Sequence, residues 1–147
     1  MKRLRTFLLL MILLVLGNGV FAESSKKVSV KRILIIDSFS SLDTWTNELK
    51  QGLKSYLNRD DQLLTTFETY ELAVRFKPNF QPAPEDIAAL KIKLKNSGYD
   101  MIVLTNNAAV DLFLSGRLAV PERIPLLAAS YHGPLQARIP KGMNMTG

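Results

Sequence analysis

The pattern of apolar and polar positions predicts strands that alternate with helices along residues 31–147. Ile33–Ile36 is an unbroken, mostly β-branched apolar run, which is typical of a strand buried on both faces of a parallel sheet. Polarity switches at Asp37, and a helical period follows from about Thr44 to Leu57. The apolar face predicted for this helix consists of Trp45, Leu49, Leu53, Tyr56 and Leu57, with Ser41 or Asp43 as its cap.

The next elements continue this alternation. Leu63–Glu71 alternates between polar and apolar residues, which favours a strand at the outside of the sheet. Lys77–Pro84 contains three prolines and is predicted to be a loop. The remaining elements are a helix from Pro84 to about Asn96 with Ile87, Leu90 and Leu94 buried, a strand at Met101–Thr105, a short helix at Asn106–Ser115 and a strand at Pro125–Ser130.

The order β-α-β-α-β-α-β predicts an α/β fold with a doubly wound parallel sheet. We expect about four strands in the order 2-1-3-4, which places the switch point between the first and third strands. Ligands of open α/β sheets bind at such a point, outside the carboxyl ends of the strands. The loops at Ser38–Thr44 and Asn106–Asn107 should therefore flank one crevice.

The first 22 residues have the pattern of a secretory signal peptide. Lys2, Arg3 and Arg5 precede the apolar core Phe7–Leu16, and Ala22 is a small residue suited to cleavage. The alternative is an uncleaved membrane anchor, although this core is about half the length that spans a bilayer. We expect a periplasmic or otherwise extracytoplasmic protein, with residues 23–30 as a polar lead-in and residues 31–147 as one domain.

Composition narrows the classes of partner. The net charge is +6, but residues 1–22 hold three of the 19 basic residues and none of the 13 acidic ones, which leaves +3. The lysines at 91, 93 and 95 are interpreted as a solvated helix face, so no nucleic acid partner is expected. Without cysteine and with a single histidine, the chain offers no disulfide and no Cys/His metal site. Neither GxGxxG nor GxxxxGK[ST] occurs, so no nucleotide cofactor is expected.

Polar side chains follow the first predicted strand. Ser38, Ser40, Ser41 and Thr44 bring hydroxyl groups to the start of the first helix, where backbone N–H groups attract anions. The alternative role of these hydroxyls is to cap that helix. Asp37 is expected to orient the loop backbone or to bind ligand.

Aromatic and amide side chains extend this candidate site. Phe39 and Trp45 can form an aromatic wall at the mouth of the crevice, although we favour the helix–sheet core for Trp45, which shares a face with Leu49 and Leu53. Asn106 and Asn107 follow a buried strand, and their amides can both donate and accept hydrogen bonds. The alternative for one of the two is to cap the short helix.

Ser130–Gly133 ends the fourth predicted strand and contains Tyr131 and His132. His132 is the only side chain with an ordinary pKa near neutrality, and we expect it either to face solvent or to orient ligand. A rival interpretation is a secreted α/β hydrolase fragment in which His132 activates Ser38 or Ser130. The G-x-S-x-G elbow of such hydrolases is absent from the sequence, which favours a protein that is not an enzyme.

The segments Asp37-Ser38-Phe39, Trp45-Thr46-Asn47-Glu48 and Gly52-Leu53 resemble the start of a periplasmic family. This is the family of ABC-transporter substrate-binding-like proteins, of the type I periplasmic-binding-protein kind, whose fold also serves as the sensor of some bacterial histidine kinases. Gly98–Ala108, Ile124–Leu127 and Asn144–Gly147 are similar in kind, so the resemblance covers roughly residues 31–147. The loop Ser40–Asp43 departs from it, because it lacks the Pro-Gly type of turn.

The resemblance implies a small-molecule-binding protein with an ABC permease or a membrane sensor kinase as its partner. Proteins of this family close two lobes over the ligand, and residues 31–147 match the N-terminal lobe only. We therefore expect the isolated chain to bind ligand weakly and to associate through its uncovered surface.

Overall fold

A computed structural model describes residues 28–40, 42–59, 63–96 and 98–147. The predicted signal peptide and most of the predicted lead-in lie outside these residues. The strands form one parallel sheet in the order β2-β1-β3-β4-β5, which confirms the predicted fold class and adds one strand. The elements are β1 Ser29–Asp37, α1 Thr44–Leu57, β2 Leu63–Glu71, α2 Pro84–Asn96, β3 Met101–Thr105, α3 Asn106–Leu114, β4 Leu126–Ala129, α4 Leu135–Arg138 and β5 Met145–Thr146.

Alternate residues of the strands enter two separate cores. On one face, Ile33, Ile35 and Val103 pack against helix α1 through Leu53 and Leu57. On the other face, a larger core joins the sheet to the remaining helices. The connection from β1 to β2 crosses the sheet in one direction, and the later connections cross it in the opposite direction. Because such connections are right-handed, α1 lies on one face of the sheet and the other helices lie on the opposite face. The members of the larger core include Leu34, Ile36, Ile87, Leu90, Leu94, Ile102, Leu104, Val110, Phe113 and Leu126, with Leu135 packed against it.

The boundaries of α1 and α2 follow their sequence signals. Asp43 caps α1, since its Oδ1 accepts a hydrogen bond from the Thr46 backbone N–H at 3.1 Å; Ser41, the other candidate, lies outside the described residues. Pro84 is the first residue of α2, where a missing N–H does no harm. The predicted stripe of Ile87, Leu90 and Leu94 is buried. Among the described residues, no helix combines the length and apolar character that a membrane span requires.

The predicted buried face of α1 is wrong at two aromatic residues. Trp45 is 45% exposed and Tyr56 is 67% exposed, whereas Thr46 and Lys50 are buried. The buried face of the helix is therefore rotated about the helix axis, away from the face that the apolar residues predict. The physical reason is an ion pair between Lys50 and Asp37 at the end of β1, because this pair turns a charged residue towards the sheet.

The loop between β2 and α2 contains two short 3₁₀ turns, Val74–Phe76 and Pro78–Phe80. The loop starts beside the end of β1, where the Leu72 N–H donates to the Asp37 carbonyl at 2.7 Å and the Val74 N–H donates to the Ser38 carbonyl at 3.0 Å. These bonds bring the loop to the carboxyl edge of the sheet, which we define as the side where the strands end and the connections to α1, α2, α3 and α4 begin.

Candidate binding site at the carboxyl edge

A pocket of about 420 Å³ lies at the carboxyl edge, where β1 and β3 end side by side. This is the switch point expected from the strand order. Five of the nine residues predicted from the sequence line it, namely Ser38, Phe39, Asn106, Asn107 and His132. The other lining residues are Val74, Phe80 and Ala108.

Asp37, the last residue of β1, directly precedes the pocket residues Ser38 and Phe39. Its side chain is fully buried, and its Oδ1 accepts hydrogen bonds from the Phe39 N–H at 3.0 Å and from the Thr105 hydroxyl at 2.9 Å. Its Oδ2 lies 3.3 Å from the Lys50 ammonium nitrogen, which is also buried. The carboxylate therefore joins β1, β3 and α1 and fixes the backbone of Phe39, as expected of a residue that orients the loop.

Ser38 caps helix α3 from a different strand. Its hydroxyl donates to the Thr105 carbonyl at 2.5 Å and accepts from the Ala109 N–H at 2.9 Å. The first N–H groups of a helix have no partner within the helix, and this bond satisfies one of them. Residue 105, at the N-cap, makes no side-chain cap bond. Neither Asn106 nor Asn107 therefore serves as the cap, and the alternative role for them is wrong.

Asn107 fastens the loop after β4 to the start of α3. Its Nδ2 donates to the His132 carbonyl at 3.1 Å, and its Oδ1 accepts from the His132 N–H at 2.9 Å. Both ends of the amide are used by backbone, so Asn107 positions the pocket wall. The pairing holds His132, an exposed residue, at the rim of the pocket.

Asn106 combines a left-handed backbone with a buried, unpaired side-chain nitrogen at the same place. Its φ is +63°, in the region that most side chains avoid and that asparagine tolerates better than most. Its side-chain nitrogen is buried and has no hydrogen-bond partner in the described part of the chain. An unsatisfied buried donor costs about 1–3 kcal/mol. Local strain of this kind concentrates at functional sites, which makes Asn106 a candidate for ligand contact.

Two aromatic side chains form apolar walls. The Arg75 guanidinium lies over the Phe39 ring, 5.0 Å from its centroid, and its Nη2 is 3.0 Å from Asp43 Oδ2. The backbone hydrogen bond from Thr46 and the charge of Arg75 lower the pKa of Asp43. Phe80 contributes the second wall with its ring 66% exposed and a φ of +53°. The pocket thus combines fixed aromatic surface with a few polar groups, as small-molecule sites do.

Four of the predicted site residues lie outside this pocket. Ser40 accepts a hydrogen bond from the Leu42 N–H at 3.4 Å, and Thr44 and Trp45 are exposed in the first turn of α1. Tyr131 receives a hydrogen bond from Arg138 and lines a neighbouring cavity of about 520 Å³ beside α4. The first turn of α1 therefore contributes nothing to the walls of the pocket.

Val74, Phe80 and Ala108 were not predicted as site residues. A signal for the first two exists in the sequence, because the loop after β2 starts at the same edge of the sheet as the loop after β1. An aromatic residue between the prolines of that loop is therefore a reasonable candidate. Ala108 carries no chemical signal of its own.

Comparison of the chain with protein-family models, with curated proteins and with solved structures finds no significant match. The resemblance to periplasmic binding proteins therefore rests on the sequence motifs alone. Among the described residues, no group of three or more His, Asp or Glu side chains is arranged to hold a metal ion.

Proposed function

We propose that this chain is an exported protein that binds a small molecule at the carboxyl edge of its sheet without transforming it. One observation carries the proposal: five residues chosen from the sequence as ligand contacts line a single pocket at the switch point. The volume of that pocket, about 420 Å³, lies within the range of about 300–1,000 Å³ that is usual for small-molecule sites.

The hydrogen bonds around the pocket favour binding over hydrolysis. The only proton of the Ser38 hydroxyl is donated to the Thr105 carbonyl, so it is not shared with an imidazole that could activate the oxygen. Asp37 is engaged by Lys50 and by two donors from neighbouring residues. Neither group is free to act as a nucleophile or base towards a bound molecule.

Export and delivery belong to the same proposal. They are supported by the pattern of residues 1–22, with basic residues followed by an apolar core, and by the motifs of residues 31–147. In the resembled family, a second lobe closes over the ligand, and the complex docks on an ABC permease or signals through a membrane kinase. We propose the same closure of an opposing lobe over this pocket.

The proposal is tested by filling the pocket. Ala108→Leu adds volume at the pocket wall, whereas Ala119→Leu adds the same volume to a cavity of about 210 Å³ at the opposite edge of the sheet. A library of small molecules is screened by thermal shift against both variants and the parent protein. We expect compounds that stabilise the parent and Ala119→Leu but not Ala108→Leu. If every hit stabilises Ala108→Leu equally well, the pocket is not the binding site.

A further inference from the structure

We infer that the ligand of this pocket is an uncharged, planar molecule that carries a hydrogen-bond acceptor at one end. This inference rests on the proposed function and names the class of ligand. Three observations carry it: the aromatic walls, the absence of a charged residue from the lining, and the unpartnered nitrogen of Asn106.

The walls favour a flat apolar body. Phe39 is held at two points, because its backbone N–H donates to the Asp37 carboxylate and its ring lies under the guanidinium of Arg75. Phe80 keeps its ring largely exposed although its φ of +53° is unfavourable for a bulky residue. Aromatic rings gain more from stacking on such walls than aliphatic groups of equal area do.

The lining favours a ligand without net charge. None of the eight lining residues is Asp, Glu, Lys or Arg. Two carboxylates that contact or adjoin lining residues are already paired with cations, Asp37 with Lys50 and Asp43 with Arg75. A charge that leaves water without an opposite partner is strongly unfavourable, so an anionic or cationic ligand loses affinity in this pocket.

The acceptor follows from Asn106. Its side-chain nitrogen is a donor with no acceptor among the described residues, and the residue lines the pocket. The nitrogen is enclosed by protein, so the side chain must rotate towards the pocket to meet a ligand. A carbonyl oxygen at the end of the ligand then removes the penalty of the unsatisfied donor.

Four matched probes test the charge and the planarity by NMR titration of the purified protein, and a variant of Asn106 tests the acceptor. Benzamide has all three features, benzoate is charged but keeps the acceptor, benzamidinium is charged and lacks the acceptor, and cyclohexanecarboxamide is not planar. We expect benzamide to bind at least about tenfold more tightly than either charged probe, a difference of about 1.4 kcal/mol. We expect cyclohexanecarboxamide to bind several-fold more weakly than benzamide.

Two pairs of variants locate the effect. Phe80→Leu should weaken benzamide several-fold, whereas Phe76→Leu, a matched change at a residue 70% exposed outside the pocket, should not. Asn106→Asp keeps the shape of the side chain and tolerates the left-handed backbone. It should move the preference from benzamide to benzamidinium, because it places a carboxylate in the pocket. Asn144→Asp, at the opposite edge of the sheet, should leave the preference unchanged.

The outcomes separate the ligand class from the site. If benzoate or benzamidinium binds as tightly as benzamide and Phe80→Leu weakens both, the pocket is a binding site and the uncharged class is wrong. If cyclohexanecarboxamide equals benzamide, planarity is not recognised and the inference also fails. If no probe binds, or if Phe80→Leu and Phe76→Leu behave alike, the inference is overturned, whereas the proposed function is decided separately by the thermal-shift comparison of Ala108→Leu with Ala119→Leu.

Discussion

The two edges of the sheet make their sharp turns with different residues. Gly116 and Gly142 are the described left-handed residues at the amino edge, which we define as the side where the connections enter β2, β3, β4 and β5. At the carboxyl edge, five residues with side chains adopt a positive φ. They are Ala73, Asn79, Phe80, Asn106 and Ser130, and one glycine, Gly133, also has a positive φ at this edge.

Glycine adopts a left-handed conformation without a steric penalty, whereas residues such as Ala73, Phe80 and Ser130 lose roughly 1–2 kcal/mol and asparagine loses less. The amino edge therefore turns at low energetic cost. The carboxyl edge keeps its side chains at a loss, and two of them, Phe80 and Asn106, line the pocket. The strained residues of this regular fold therefore lie at the edge where we propose that ligand binds.

We expect the largest difference in stability between the two edges when their ion pairs are broken. Asp37 and Lys50 are buried at the carboxyl edge, whereas Asp100 and Lys31 form a half-exposed pair at the amino edge. Asp37→Asn leaves a buried ammonium without its partner, so we expect a loss of about 3 kcal/mol in the free energy of unfolding. Asp100→Asn should cost no more than about 1 kcal/mol. Urea denaturation of both variants measures the difference.

A second change identifies the cause. Lys50→Met in the Asp37→Asn background removes the unpaired charge and should recover much of the lost stability. Equal losses for Asp37→Asn and Asp100→Asn would contradict the proposed importance of the buried pair.

The next largest effect concerns the cap supplied by Ser38. Ser38→Ala removes the acceptor of the Ala109 N–H and should cost about 2 kcal/mol. Ser115→Ala removes an exposed hydroxyl that bonds the last turn of α3 and should change stability by less than about 0.5 kcal/mol. Hydrogen exchange provides a second readout, since Ser38→Ala should speed exchange at the start of α3 first. Uniformly faster exchange along the helix would argue against a local cap.

Substitutions at the left-handed residues of the two edges should change the stability of the protein in opposite directions. Gly116→Ala meets no neighbouring atom, so its cost comes from the backbone alone and should be about 1 kcal/mol. Ala73→Gly relieves the same strain at the carboxyl edge. Part of this gain is offset by the greater entropy of glycine in the unfolded chain, so the net stabilisation should be about 0.5 kcal/mol. Melting temperatures of the two variants should therefore move in opposite directions. A loss of stability in both would contradict the assignment of strain to Ala73.

The smallest expected effect is on acid stability. The Thr46 N–H and Arg75 lower the pKa of Asp43 below its ordinary 3.8, and Lys31 and the Arg32 N–H lower the pKa of Asp100. Both carboxylates are therefore protonated less readily in the folded state than in the unfolded state. Their contribution to the free energy of unfolding is present above about pH 4 and is lost as the pH falls through the folded pKa values.

Urea midpoints between about pH 3 and pH 7 test this effect. Asp43→Asn and Asp100→Asn should each flatten the acid side of the profile slightly, because each removes one of the carboxylates concerned. If the dependence of the urea midpoint on pH is unchanged in both variants, the loss of stability at low pH has another origin.

The long elements could be predicted because local signals agree with the fold. The boundaries of α1, β2, α2 and β3 match the sequence analysis, helped by Asp43 and Pro84 at the two helix starts. β5 was missed because two residues, Met145 and Thr146, carry no periodicity. The 3₁₀ turns were missed because they depend on backbone bonds to the end of β1, such as that from the Val74 N–H.

The candidate site was predictable where its residues directly follow strands, as Phe39 and Asn106 do. It was not predictable where a tertiary contact decides the orientation. Lys50 turns inwards to meet Asp37, so Trp45 turns outwards although the apolar pattern places it on the buried face. A charge pair of this kind leaves no trace in hydrophobic periodicity.

The most direct test of the central claim is an NMR shift map of isotopically labelled protein titrated with benzamide. We expect the largest backbone amide shifts at the carboxyl edge, at Phe39, Asn107 and His132. The amides of Val120 and Met143, which line the cavity at the amino edge, should remain unchanged. Shifts centred on Val120 and Met143, or no saturable shift at either edge, would contradict the assignment of the binding site.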